Sequence, residues 1–179
     1  MYIEHPEFII ERAKDLPLWR YMDFWKFLKL LNSSELYFPN VEMMGDQHEG
    51  KIPQKIFDLM LKEDELLGRK NKFAQNYKEF IENRLRKKTL ILSWNANSTE
   101  SFAFWKMYAK EKLGIAIKTN LDRLKNSVKD AEENIYIGEV RYYDDNKPTY
   151  RTGNTFYTFL TKNNYYEFGQ NSHDNTHQS

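Results

Sequence analysis

The chain has 179 residues, 40% of them hydrophobic and 16% aromatic, which suits one globular domain able to bury roughly two thirds of its unfolded surface. A net charge of +1 argues against a nucleic-acid or membrane-attracting footprint spread over the whole molecule, and the absence of cysteine excludes disulfides, thiolate metal sites and thiol nucleophiles. No run approaches the ~18 apolar residues of a membrane span, and the N-terminus lacks a basic start followed by an apolar stretch, so a cytoplasmic protein without a membrane partner is expected.

In chain order, Glu7–Lys14 suits a short helix, which Pro17 ends before an extended Leu18–Tyr21 that holds Arg20 at its middle. Asp23 suits the N-cap of an amphipathic helix over Phe24–Leu31, with Phe24, Phe27, Leu28 and Leu31 on one face. Asn32–Ser34 reads as a turn, and Leu36–Phe38 as a strand ended by Pro39. Val41–Gly50 is a loop that concentrates Glu42, Asp46, His48 and Glu49. Helical spacing starts at Pro53 and stops at Gly68, and a second helix is predicted over Lys72–Arg86 from Phe73, Tyr77, Phe80, Ile81 and Leu85. Between Arg69 and Lys88 eight bases face two acids, whereas residues 1–68 carry thirteen acids against eight bases.

Leu90–Thr119 is the stretch on which the aromatic core is expected to hang. Thr89–Trp94 has the pattern of a buried strand, and a helix is predicted from about Thr99, capped by Asn97 or by Ser98. Phe102, Trp105 and Ala109 form one face of that helix and Phe104, Met107 and Tyr108 another, which predicts burial on more than one side. Gly114 suits the helix stop and Ile115–Ile117 a strand. Asn120 or Thr119 suits the cap of a helix through Leu121, Leu124 and Val128, and Ile135–Tyr143 alternates as a long strand. Asp144–Gly153 is a polar loop, Phe156–Phe168 is aromatic and mixed, and the wholly polar Gly169–Ser179 predicts a disordered tail after a single domain over 1–168. The expected fold class is α+β, a mixed sheet covered by helices.

Several motifs, in order and spacing, resemble an uncharacterised bacterial family, domain of unknown function 2971. They are LWRYMDFWKFLKLLNSSELYF from Leu18, GDQHEG from Gly45, the SW of Ser93–Trp94, the ES of Glu100–Ser101, WKMY from Trp105, GIAIKT from Gly114 and IYIGEVRY from Ile135. The likeness covers roughly Leu18–Lys162 and implies fold more than function. Family members continue from the lysine matching Lys162 into a strand of the form Glu, any residue, Glu, then Arg. Here Tyr166 and Glu167 match its start, but Gly169, Gln170 and Asn171 follow, so a truncated, frame-altered or fragmentary copy is expected.

Three functional readings follow. Across the enzyme readings the catalytic candidates are Arg20, Asp46, Glu49, Ser93 and Glu167; by analogy, the resemblance implies an ADP-ribosyltransferase-like scaffold, in bacterial defence (phage defence included) or stress. In it Arg20 holds NAD, Ser93 lies on a middle strand and Glu167 orients the acceptor. The plainer reading makes Arg20 a paired structural arginine and Ser93 a core hydroxyl. A second reading is a metal-dependent hydrolase in which Asp46, Glu49 and Glu167, with His48, hold magnesium or manganese; the plainer account is solvated acids that anchor their loop. A third is a non-catalytic module that binds nucleic acid or an acidic protein through Arg84, Arg86, Lys87 and Lys88, with Tyr77 as a stacking residue, against an ordinary solvated basic face. His5, His173 and His177 carry no signal.

Overall fold

A computed structural model describes residues 1–44, 48–108, 113–143 and 154–163. The fold is α+β. In chain order it comprises β1 (Leu18–Asp23), α1 (Phe24–Ser33), α2 (Gln54–Leu66), α3 (Lys72–Glu79), a π-helical segment (Phe80–Leu85), α4 (Arg86–Lys88) and β2 (Asn95–Ala96). Then follow α5 (Phe102–Tyr108), β3 (Gly114–Thr119), α6 (Leu121–Ser127), β4 (Arg141–Tyr143), α7 (Tyr157–Leu160) and β5 (Thr161–Asn163). The strands form a three-stranded antiparallel sheet, ordered β2-β1-β3, and a two-stranded parallel pair, β4-β5. No helix among the described residues is long and apolar enough to cross a membrane. The loop Asp144–Gly153, the tail Gly169–Ser179, Asp46 and Glu167 lie outside the described residues.

Contacts divide the chain into two compact units, one containing Met1–Tyr37 and Ser93–Glu139, the other Phe38–Leu92 and Val140–Tyr166. In the first unit β1 is central, pairing Leu18 with Ala96 on one side and Leu18–Asp23 with Thr119–Gly114 on the other. Its Leu18, Trp19, Tyr21 and Met22 are all buried. The Tyr21 ring stacks on Phe104 at 5.5 Å and meets Trp105 edge-on at 5.2 Å, while its hydroxyl accepts from the Ser101 backbone N–H at 2.7 Å. That bond fixes where α5 starts: Ser101 precedes the first turn and its hydroxyl accepts from Phe104 N–H, later than the predicted start at Thr99.

The predicted hub is therefore displaced. None of the α5 residues is buried: Phe102 is 73% exposed and Tyr108 44%, and Trp105, half-buried, donates its indole N–H to Glu100. An apolar circumference does not bury a helix when only one side meets a sheet, and here that side is the one facing Tyr21. A second core packs Ala13, Leu18, Leu121 and Leu124 with Trp94 and Ile137.

Local signals survive better than strand signals. The Asp23 carboxylate accepts from Lys26 N–H and Asn120 from Arg123 N–H, so two of the three predicted caps form, Ser101 standing in place of Asn97 or Ser98 at α5, and Ser34 closes α1 in the left-handed conformation. Leu28 and Leu31 of α1 nevertheless stand exposed, leaving Phe24, Phe27 and Leu30 as its half-buried side. Glu7–Lys14 supplies only a 3-10 turn at Arg12–Lys14, and Gly114 opens β3. Leu36–Phe38 is not a strand, and Thr89–Trp94 forms only one bridge, Leu90 to Asn40. Ile135–Tyr143 is reduced to a bridge at Ile135 and the short β4.

Between those two stands Glu139, whose carboxylate accepts from the backbone N–H of Glu11 and Arg12 and pairs with the Arg12 guanidinium at 2.8 Å. Burial alone would raise its pKa, but the hydrogen bonds and Arg12 together hold it below the ordinary 4.5. A depressed folded-state pKa means the stabilisation is complete above the unfolded value and is lost as pH falls through the folded one. Glu139→Gln is expected to be less stable than the parent at neutral pH, with the gap narrowing below about pH 4.5, as read from denaturant midpoints across an acid series. A constant gap would contradict the assignment.

In the second unit, α2 and α3 form a hairpin around Ile52, Ile56, Met60, Ala74 and Ile81. Gly68, at φ +65°, ends the first helix as predicted. The second predicted helix forms over α3, the π segment and α4 without a break, but the π turns inside it are not visible in an α-periodic pattern.

Candidate functional site

The acidic loop is built on Asn40. Its side chain caps the 3-10 turn Val41–Met43 by accepting from Glu42 N–H at 2.9 Å, and its amide donates to the Lys87 carbonyl at 2.6 Å. The loop is thereby tied to α4. Beyond the undescribed residues 45–47, His48 is exposed and Glu49 buried. The Glu49 carboxylate lies 2.7 Å from the Lys162 ammonium of β5, an ion pair whose angle falls outside good hydrogen-bond geometry. Its main-chain carbonyl accepts from Arg86 Nε at 2.9 Å, and Arg86 also reaches to 3.9 Å from Glu42. Gly50 follows at φ +69°, with the Phe159 ring so near that a Cβ would lie 2.6 Å from it, so only glycine suits this position.

The turn at Glu49 is thus clamped from two sides by Arg86 and Lys162, and its carboxylate is already neutralised. A metal ion would have to displace the lysine before that carboxylate oxygen could ligate it. Among the described residues no group of three or more His, Asp or Glu side chains stands close enough to hold a metal ion.

The same clamp sorts the basic run. Arg86 has only 14% of its side chain exposed, whereas Arg84, Lys87 and Lys88 are exposed and make no ion pair with a described residue. The four sequence candidates divide into one structural arginine and three solvent-facing cations. Tyr77, the proposed stacking residue, is half-buried and stacked against Phe73 at 5.9 Å.

In the first unit the structure brings Arg20 and Ser93 together, through the backbone. Arg20 Nη1 donates to the Ser93 carbonyl at 2.9 Å, and the residue carrying the serine hydroxyl is exposed. Burial lowers the Arg20 pKa and the nearby Tyr108 opposes that shift, yet a guanidinium remains charged under any ordinary condition. Arg20 is thus held by a carbonyl within its own unit, and Ser93 is exposed and not a core hydroxyl. An open depression of about 360 Å³ lined by Tyr2, Asp122, Lys125 and Lys129 contains none of the sequence candidates.

Two ionic residues escape the sequence reading. Lys162 gives no local signal of its role. Asp64 does give one: it continues the buried Ile56–Met60 stripe of α2 at four-residue spacing, a carboxylate where an apolar side chain is due. It is fully buried, accepts from Ala74 N–H at 2.8 Å and lies 2.8 Å from Arg69 Nε. Comparison with protein-family models, curated proteins and solved structures finds no match for the chain.

Proposed function

We propose that this chain is an interaction module that binds nucleic acid through Arg84, Lys87 and Lys88, on the α+β scaffold that its resemblance to domain of unknown function 2971 also implies. The observation that carries the reading is the sorting of one basic run: Arg86 is spent inside the fold while its three neighbours keep their charges in solvent. Three exposed cations within two helical turns concentrate positive charge for backbone phosphates, and no ion pair with a described residue has to be broken first. The catalytic readings are less favoured because Arg20 and Glu49, the described acid and base of those sets, are already engaged within their own units.

The test is a titration of labelled oligonucleotide against salt. Three phosphate contacts give a slope of log affinity on log salt of about −2 for a single strand and nearer −3 for a duplex. Changing Arg84, Lys87 and Lys88 together to Ala, with Arg86 left in place, is expected to weaken binding about tenfold or more at low salt and to flatten that slope. Unchanged affinity, or binding that ignores salt, would remove the proposal.

A further inference from the structure

Resting on that reading, we infer that the ligand is a single strand, one base of which stacks on Phe80. Phe80 opens the π segment and is 43% exposed, four residues before Arg84, and residues so spaced are neighbours on a helix surface. Its ring meets no other ring among the described residues. Phe73, the other exposed phenylalanine of this helix, is occupied, with the Arg69 guanidinium 4.9 Å over it and Tyr77 stacked alongside.

The π segment is what aligns the aromatic with the cations. Ile81 is fully buried and fixes the inward side. An α-helix continuing from Ile81 would bring residues 85 and 88 inward, at four- and seven-residue spacing, and Leu85 does pack on the core, so the departure comes after it. A π turn takes an additional residue, and here Arg86 turns in while Lys88 stays out with Lys87 and Arg84. One exposed ring followed by three exposed charges is the arrangement that holds an unpaired strand, with a base face on the ring and phosphates on the cations. A duplex hides its base faces and offers this ridge only phosphates.

The experiment is fluorescence anisotropy of the full chain with an oligothymidylate of about 12 nucleotides and with a duplex of the same length, at about 50 mM salt. The single strand is expected to bind more tightly. Phe80→Ala is expected to weaken single-strand binding about 5- to 100-fold and to leave duplex binding unchanged, while Phe80→Tyr keeps the parent affinity. Unaltered thermal melting of both variants separates this from a folding defect. Duplex binding as tight as single-strand binding, or a Phe80→Ala variant that binds the single strand like the parent, would overturn the stacking inference and leave the nucleic-acid reading standing. Binding to neither oligonucleotide, or to polyglutamate alone, would overturn both.

Discussion

Asp64→Ala is expected to destabilise the protein by about 3 kcal/mol, the larger part from a stranded backbone donor and a lost helix cap. Asn71, at the start of α3, sits at φ +59° and makes no side-chain cap, so the carboxylate of Asp64, reaching over from α2, does that work for Ala74 N–H. A negative charge there also suits the positive end of α3. Arg69, about one third exposed, can rehydrate when its partner is lost, which keeps the cost toward the lower end of the range for a broken buried pair. Asp64→Asn, which keeps an oxygen for Ala74 N–H, is expected to cost about half as much. Urea midpoints decide this; an Ala variant within about 0.5 kcal/mol of the parent would show that Asp64 is not the cap.

Glu49→Ala is expected to cost about 2–3 kcal/mol, because it removes the buried carboxylate that pairs with the Lys162 ammonium at 2.7 Å. Lys162→Ala leaves the more deeply buried Glu49 carboxylate alone and is expected to cost at least as much. The double variant should recover part of the sum, since the two side chains interact directly. This cycle also addresses catalysis. Side chains kept for chemistry often cost stability, so removing a catalytic carboxylate tends to be neutral or stabilising. A more stable Glu49→Ala variant would return Glu49 to the list of reactive groups.

What could be read from the sequence was whatever depends on near neighbours. The Asp23 and Asn120 caps and the Gly68 stop each need only a few adjacent residues to form, and all three are present. Strands need partners. Leu36–Phe38, Thr89–Trp94 and Ile135–Tyr143 have strand-like composition but find at most a bridge or a short pairing. The start of α5 carries a local cap that the sequence reading passed over, Ser101 accepting from Phe104 N–H, and the Tyr21 hydroxyl, far away in sequence, holds the same residue. The same holds for the site. That the 84–88 stretch is basic was plain, but which of its charges reach solvent depends on π turns and on Glu49, and the α-periodic pattern contains neither. Arg20 was placed correctly on its strand, yet its acceptor is a carbonyl, a group every residue carries and no sequence pattern marks.

The six π-helical residues also bear on how relatives of this chain should be aligned. A scoring scheme that assumes even α spacing through 72–88 will pair the wrong columns from residue 84 onward whenever a homologue lacks the wider turn. A gap of one position inside Phe80–Leu85 would then be a change of which basic side chains point outward, while overall percent identity barely moved.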